Sequence, residues 1–248
     1  MKPRLLISND DGIGSPFLPI FARELAEVAD VEIVVPASEQ SWIGRAYSRH
    51  VELSAEEVDF CGLKTWTVNG TPADCVNIAL SHLCPNPDAV VSGINIGQNI
   101  AMPLLWSSGT FGAAAEGAGF GITSFAFSMR LEKRFYDACR LRHEMPEDAS
   151  LENSVKAASK TASRFILDVL KSKPREWGVV RNVNFPIRYS EDTPFRECVP
   201  ARAKISPLYV ENCGKYNFKY AMEAFECEEL TDYKCLENNE ACYSVINI

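Results

Sequence analysis

The chain has 248 residues, 46% apolar and 23% charged, a balance that excludes a wholly disordered or fibrous protein. Its formal net charge of -8 sets the average surface against a nucleic-acid backbone, so no nucleic-acid partner is expected. No run approaches the roughly 20 apolar residues of a membrane helix, and no signal-peptide cleavage pattern opens the sequence, so no membrane partner is expected either.

Leu5, Leu6 and Ile7 predict a short strand, followed by a polar turn and a helix in which Leu18, Phe21, Ala22, Leu25 and Val28 recur at helical spacing, with Pro16 in its first turn. Residues 31–35 and 65–68 predict two more strands, the second closed by Asn69-Gly70. Thr71-Pro72 then opens a helix, with threonine as N-cap and Asp74 in the first turn. Ala89, Val90 and Val91 form a continuous apolar strand of the kind covered on both faces. A small-residue helix over 111–118 and a strand over 122–127 follow. Residues 130–150 are strongly charged and predict a surface excursion. The helical pattern returns over 151–173, and a strand over 179–183 ends at Asn184-Phe185-Pro186.

This alternation predicts an α/β fold with a doubly wound, mostly parallel sheet over residues 1–186. Residues 187–248 read as a C-terminal extension of short aromatic-bearing strands and loops, packing on the core or on a neighbouring subunit. The nine cysteines are scattered from Cys61 to Cys242 without a Cys-x-x-Cys pair. They read as free thiols in a reducing cytoplasm, with neither a disulfide framework nor a zinc motif.

The strongest chemical signal is Ser8-Asn9-Asp10-Asp11-Gly12, directly after the first strand, where open parallel sheets bind ligands. Two adjacent carboxylates repel each other unless a cation neutralises them, although a helix-capping cluster uses the same residues. Ser92-Gly93-Ile94-Asn95-Ile96-Gly97-Gln98-Asn99 follows another apolar strand and predicts a loop whose backbone approaches a ligand. There Asn95 offers an oxygen to a hard cation and Asn99 a donor to a phosphate oxygen. Ser107-Ser108-Gly109-Thr110 precedes a helix and forms either an anion cradle or a plain cap. Ser41, after the second strand, is a neutral oxygen donor.

These motifs, together with Gly70-Thr71-Pro72-Ala73-Asp74 and Asn182-Val183-Asn184-Phe185-Pro186, closely resemble the SurE survival-protein family in order and spacing. The resemblance implies a Rossmann-like fold and a metal-dependent phosphomonoesterase acting on nucleoside 5'-monophosphates, with 3'-monophosphates and short polyphosphate as further substrates. It implies Asp10, Asp11, Ser41 and Asn95 as ligands of one divalent ion per subunit, Mg²⁺ or Mn²⁺, with Asp10 and Asp11 also catalytic. Asn9, Asn99, Ser108, Gly109 and Thr110 then contact phosphate, and the chain is expected to form a homodimer or homotetramer. Trp42 stands where the family usually has glycine. A non-catalytic, metal-dependent nucleotide-binding module is the alternative. An aspartyl-phosphate mechanism needs two aspartates separated by one residue, and that frame puts Asn9 opposite Asp11.

Overall fold

Leu5, Leu6 and Ile7 are apolar in succession because both faces of their strand are covered: Leu5 and Ile7 pack into one buried cluster and Leu6 into another. A computed structural model describes residues 2–172, 174–220, 222–224 and 228–248. The strands are β1 (Arg4–Ser8), β2 (Asp30–Pro36), β3 (Ala55–Phe60), β4 (Leu63–Val68), β5 (Ala89–Ile96), β6 (Thr123–Met129), β7 (Val179–Phe185), β8 (Phe195–Glu197), β9 (Ala203–Ile205), β10 (Tyr209–Asn212), β11 (Lys215–Phe218), β12 (Met222–Ala224) and β13 (Ala241–Asn247). The helices are α1 (Leu18–Val28), α2 (Pro72–Ile78), α3 (Met102–Leu105), α4 (Gly109–Gly119), α5 (Lys133–Leu141), α6 (Ala149–Ser172) and α7 (Asp232–Glu237).

Nine strands form the main sheet in the order β3-β4-β2-β1-β5-β6-β7-β13-β8. Neighbours from β4 through β7 are parallel, while β3 and β13 run antiparallel to β4 and β7. The chain winds outward from β1 to β2 and β4, returns to β5 beside β1, and then winds the other way through β6 and β7. The winding therefore reverses between β1 and β5, and a crevice opens at their carboxyl ends. Apolar residues of α1 and α6 cover one face; those of α2 and α4 cover the other. The doubly wound, mostly parallel sheet is the one the alternation predicts. The cap of α2 also forms as expected: Thr71 Oγ1 accepts from Asp74 N at 3.1 Å, and Asp74 Oδ2 accepts from Thr71 N at 2.9 Å.

Several local expectations are corrected. Pro16 lies before α1, in a turn closed by Leu18 N donating to Ser15 O at 3.2 Å, a position that suits its fixed φ; the proline in the first helical turn is Pro19. The segment 92–96 is not a loop but a bulged continuation of β5, with its register shifting between Ser92 and Asn95. Gly93 there has φ +121°, and a Cβ would stand 2.3 Å from Phe127 O. Residues 130–150 are more than an excursion: α5 buries Phe135, Ala138 and Cys139, an apolar stripe too short to stand out among charges. In the stretch 187–248, β8 and β13 complete the main sheet, while β9 with β12 and β10 with β11 form two separate pairs.

Eight cysteines within the described residues are free thiols. Cys227 and the expected helix end at Lys173 lie outside those residues. Among the described residues, no helix is long and apolar enough to cross a membrane.

Candidate active site

As the chain leaves β1, Asn9 closes a tight turn. Its Oδ1 accepts from Gly12 N and its Nδ2 donates to Gly12 O, both at 3.0 Å. Gly12 adopts φ +77°, which glycine tolerates without a steric penalty. The turn leaves Asp10 and Asp11 buried side by side, 4% and 3% exposed. Asp10 Oδ1 accepts from Thr110 Oγ1 at 2.6 Å, and Asp11 Oδ2 accepts from Ile96 N at 3.0 Å.

Burial pushes the Asp10 carboxyl above its ordinary value, against the hydroxyl and amide of Thr110 and the charge of Arg140, which pull it down. Burial also raises Asp11, helped by the neighbouring Asp10 charge, to about 7. Asp11 Oδ1 and Ser41 Oγ are buried without a hydrogen-bond partner. Asn95 Nδ2 donates to Gly97 O at 3.1 Å, which leaves its side-chain oxygen available to a cation. Two carboxylates, a hydroxyl and an amide oxygen make an all-oxygen donor set, and two orphaned buried oxygens within it fit a hard divalent cation.

Beside this set lies a cavity of about 350 Å³. Asp10, Ser41, Asn95, Asn99 and Ser108 line it; Asn9, Asp11, Gly109 and Thr110 do not. Several side chains of the residues expected to contact phosphate already have partners within the fold. Ser108 caps α4 by accepting from Phe111 N at 3.0 Å, and the Thr110 hydroxyl is committed to Asp10. Asn99 Nδ2 donates to Ser128 Oγ, its N–H donates to Asn184 Oδ1, and its carbonyl accepts from Asn182 and Asn184 Nδ2, all at 2.9 Å. The Asn182-Val183-Asn184 segment thus holds the backbone of the cavity wall. Gly109 has a steric role, since a Cβ there would stand 2.7 Å from Asp10 Cβ.

Sequence reasoning missed Arg140. It projects from α5 to the cavity wall, pairs with Glu39 and carries the positive charge felt by both aspartates. The visible signal was only a charged stretch, and nothing in its spacing marked one arginine. Trp42 also lines the cavity, with its ring 4.9 Å from Phe218 and 5.6 Å from Tyr220.

The profile of the survival protein SurE family matches residues 5–206. The 5'-nucleotidase SurE of Methanoculleus marisnigri is 38% identical over 191 residues, covering 76% of this chain and 69% of that protein. The 5'-nucleotidase SurE of Hyperthermus butylicus is 31% identical over 222 residues, covering 88% and 75%. The crystal structure of the SurE protein from Aquifex aeolicus superposes with a TM-score of 0.72 at 25% identity, covering 99% of this chain and 93% of that one.

Proposed function

This chain belongs to the survival protein SurE family, and from that premise we propose that it is a divalent-metal-dependent phosphomonoesterase that hydrolyses nucleoside 5'-monophosphates to nucleoside and phosphate. The observation that carries the metal requirement is the pair of orphaned buried oxygens, Asp11 Oδ1 and Ser41 Oγ, beside two adjoining buried carboxyls. Asp10, Asp11, Ser41 and Asn95 hold one ion, Mg²⁺ or Mn²⁺, because hard cations take oxygen donors. Such an ion supplies neutralisation of phosphoryl charge and a lowered pKa for water.

The protein's own groups do the rest. Asp10 faces the cavity and accepts the proton of the attacking water, while Thr110 fixes its orientation. Asp11 stays behind the wall, anchored on the Ile96 amide. Arg140 binds a phosphoryl oxygen with a charge that does not titrate near neutrality. Asn99 and the start of α4 shape the wall against which the phosphate rests. Attack in line with the ester oxygen then breaks the phosphorus–oxygen bond; the leaving oxygen takes up a proton from solvent and departs as the nucleoside, and Asp10 returns its proton to solvent.

The enzyme acts in the cytoplasm, in keeping with its free thiols. It works as a homodimer or homotetramer, an assembly supported by the exposed Tyr209, Val210, Tyr216 and Phe218 on the β10–β11 hairpin.

Phosphate release from AMP and GMP, measured with Mn²⁺ or Mg²⁺ and again after EDTA, tests the proposal. Metal-restored turnover is expected. Undiminished activity in EDTA overturns the metal requirement, and binding without turnover leaves a nucleotide-binding module.

A further inference from the structure

Cys198, Cys235 and Cys242 are far apart in sequence, yet the fold brings their sulfur atoms within 4.8 Å of one another. They arrive from three segments: just past β8, inside α7 and in β13. Their residues are 8%, 0% and 0% exposed.

Buried cysteines elsewhere in this protein act as small apolar fillers among carbon side chains. Cys75 and Cys84 pack with Val76, Ala79 and Leu80, and Cys139 sits in the largest core cluster. The three converging cysteines differ, because among the described residues they form a buried apolar cluster with no aliphatic or aromatic member. A filler role explains a thiol in a hydrocarbon core; it does not explain a core made only of thiols.

A metal–sulfur bond of about 2.3 Å puts three sulfurs on one ion about 3.8 to 4.0 Å apart. The observed spacing reaches that with shifts below an ångström. We propose that Cys198, Cys235 and Cys242 form a second metal site, a buried thiolate site for one thiophilic d¹⁰ ion, Zn²⁺ or Cu⁺. Soft sulfur donors select such ions over Mg²⁺ and Mn²⁺, so the two sites of the chain do not compete for one metal. Among the described residues the three sulfurs, all within 4.8 Å of one another, are close enough to share a single ion. Cys235 and Cys242 also lie beyond residues 5–206, where the family profile matches.

The site has a structural consequence. Asp232, at the first position of α7, accepts from Ala101 N at 2.9 Å and Ala201 N at 2.8 Å. Ala101 follows closely on Asn99 of the cavity wall. An ion joining α7 to β13 and to the end of β8 fixes the helix that holds this segment.

The full-length protein, stripped with chelator under reductant, is titrated with Co²⁺ as a spectroscopic stand-in for Zn²⁺, and separately with Cu⁺. Sulfur-to-metal charge-transfer absorption saturating at one ion per chain is expected, undisturbed by excess Mg²⁺ and still present in Asp10→Asn. Cys235→Ser is expected to abolish it, and Cys213→Ser, whose thiol is exposed and outside the cluster, to leave it intact. Should Cys235→Ser fail to fold, X-ray absorption at the zinc and copper edges of the wild-type protein reads the shell directly. Three sulfur neighbours are expected, and the edge that shows them says which ion is bound. A shell of oxygen or nitrogen, or no thiolate absorption with either ion, overturns the site. The phosphatase assay is separate from these readouts, so failure of either proposal leaves the other standing.

Discussion

Thr110 Oγ1 donates to Asp10 Oδ1 at 2.6 Å, tying the first turn of α4 to the carboxyl end of β1 across 100 residues of sequence. The bond holds one oxygen of a buried carboxylate and leaves the other to act. Thr110→Val keeps the shape and removes the donor. Hydrogen-bond partners of metal-site residues are worth about 10- to 100-fold in activity or metal affinity. We expect a loss of that size in kcat/KM, with Mn²⁺ half-activation moving to higher concentration. Steady-state assays over a Mn²⁺ series check it, and wild-type behaviour would leave the bond without a catalytic role.

The raised carboxyl of Asp11 gives the metal-free protein a particular pH dependence. Its folded-state value of about 7 lies above that of an unfolded aspartate, and Asp10 is shifted in the same direction. The folded state therefore holds protons that the unfolded chain has released. The stability these groups contribute is complete below about pH 4 and is lost as pH rises through about 7. A divalent ion needs the ionised pair, so its stabilising effect grows over the same interval. The gap in Tm between Mn²⁺-loaded and EDTA-treated protein is expected to widen from about pH 5 to about pH 8. A constant gap, or one that widens equally in Asp11→Asn, would contradict this origin.

Under the proposed mechanism Arg140 binds phosphate, and its loss should then appear in substrate binding and turnover alike. Charge-assisted hydrogen bonds of this kind contribute about 1.5 to 3 kcal/mol. Arg140→Gln is expected to lower kcat/KM for AMP by about 10- to 100-fold, and to weaken competitive inhibition by inorganic phosphate in parallel. Loss of activity with unchanged phosphate inhibition would make Arg140 a support for Asp10 and Asp11 and not a ligand of substrate.

Gly109 tests how tightly α4 seats on β1. An added Cβ would lie 2.7 Å from Asp10 Cβ, 3.0 Å from its Oδ2 and 3.1 Å from Gln40 O. Crowding of this sort costs about 1 to 3 kcal/mol, and here the strain falls on Asp10 itself. Gly109→Ala is therefore expected to lower Tm and to lose activity together. Chemical denaturation beside the AMP assay checks both, and a fully active, fully stable variant would show that α4 can withdraw.

The sequence made the parallel core legible because period and length agree there. Apolar triplets such as 5–7 and 89–91, short and bounded by turn residues, read as strands covered on both faces, and Thr71-Pro72 marks a helix start by its chemistry. The aspartate pair was legible for a similar reason, since adjacent carboxylates after a buried strand need a cation or a cap. Arg140 and the cysteine cluster were not. Each depends on where separate segments meet: α5 against β5 for Arg140, and α7 against β13 for Cys235 and Cys242. Local spacing carries no record of such meetings. Ser108 sits in a motif with two readings, cap or anion cradle, and its hydroxyl serves the cap by accepting from Phe111 N.

Trp42 sets the last test, which concerns the nucleoside half of the substrate. Its indole lines the cavity from the turn after β2 and meets Phe218 and Tyr220 edge-on or tilted, which leaves an aromatic wall at the rim. An aromatic face of this kind stacks a base with about 1 to 3 kcal/mol and little preference among bases. Ribose 5-phosphate carries the same ester without a base and gains nothing from the wall. Trp42→Ala is thus expected to lower the ratio of kcat/KM for AMP over ribose 5-phosphate by about 10-fold or more, while the ribose 5-phosphate value itself changes little. Equal losses on both substrates would mean that Trp42 supports the hairpin against the cavity; an unchanged ratio with full activity would remove it from substrate recognition.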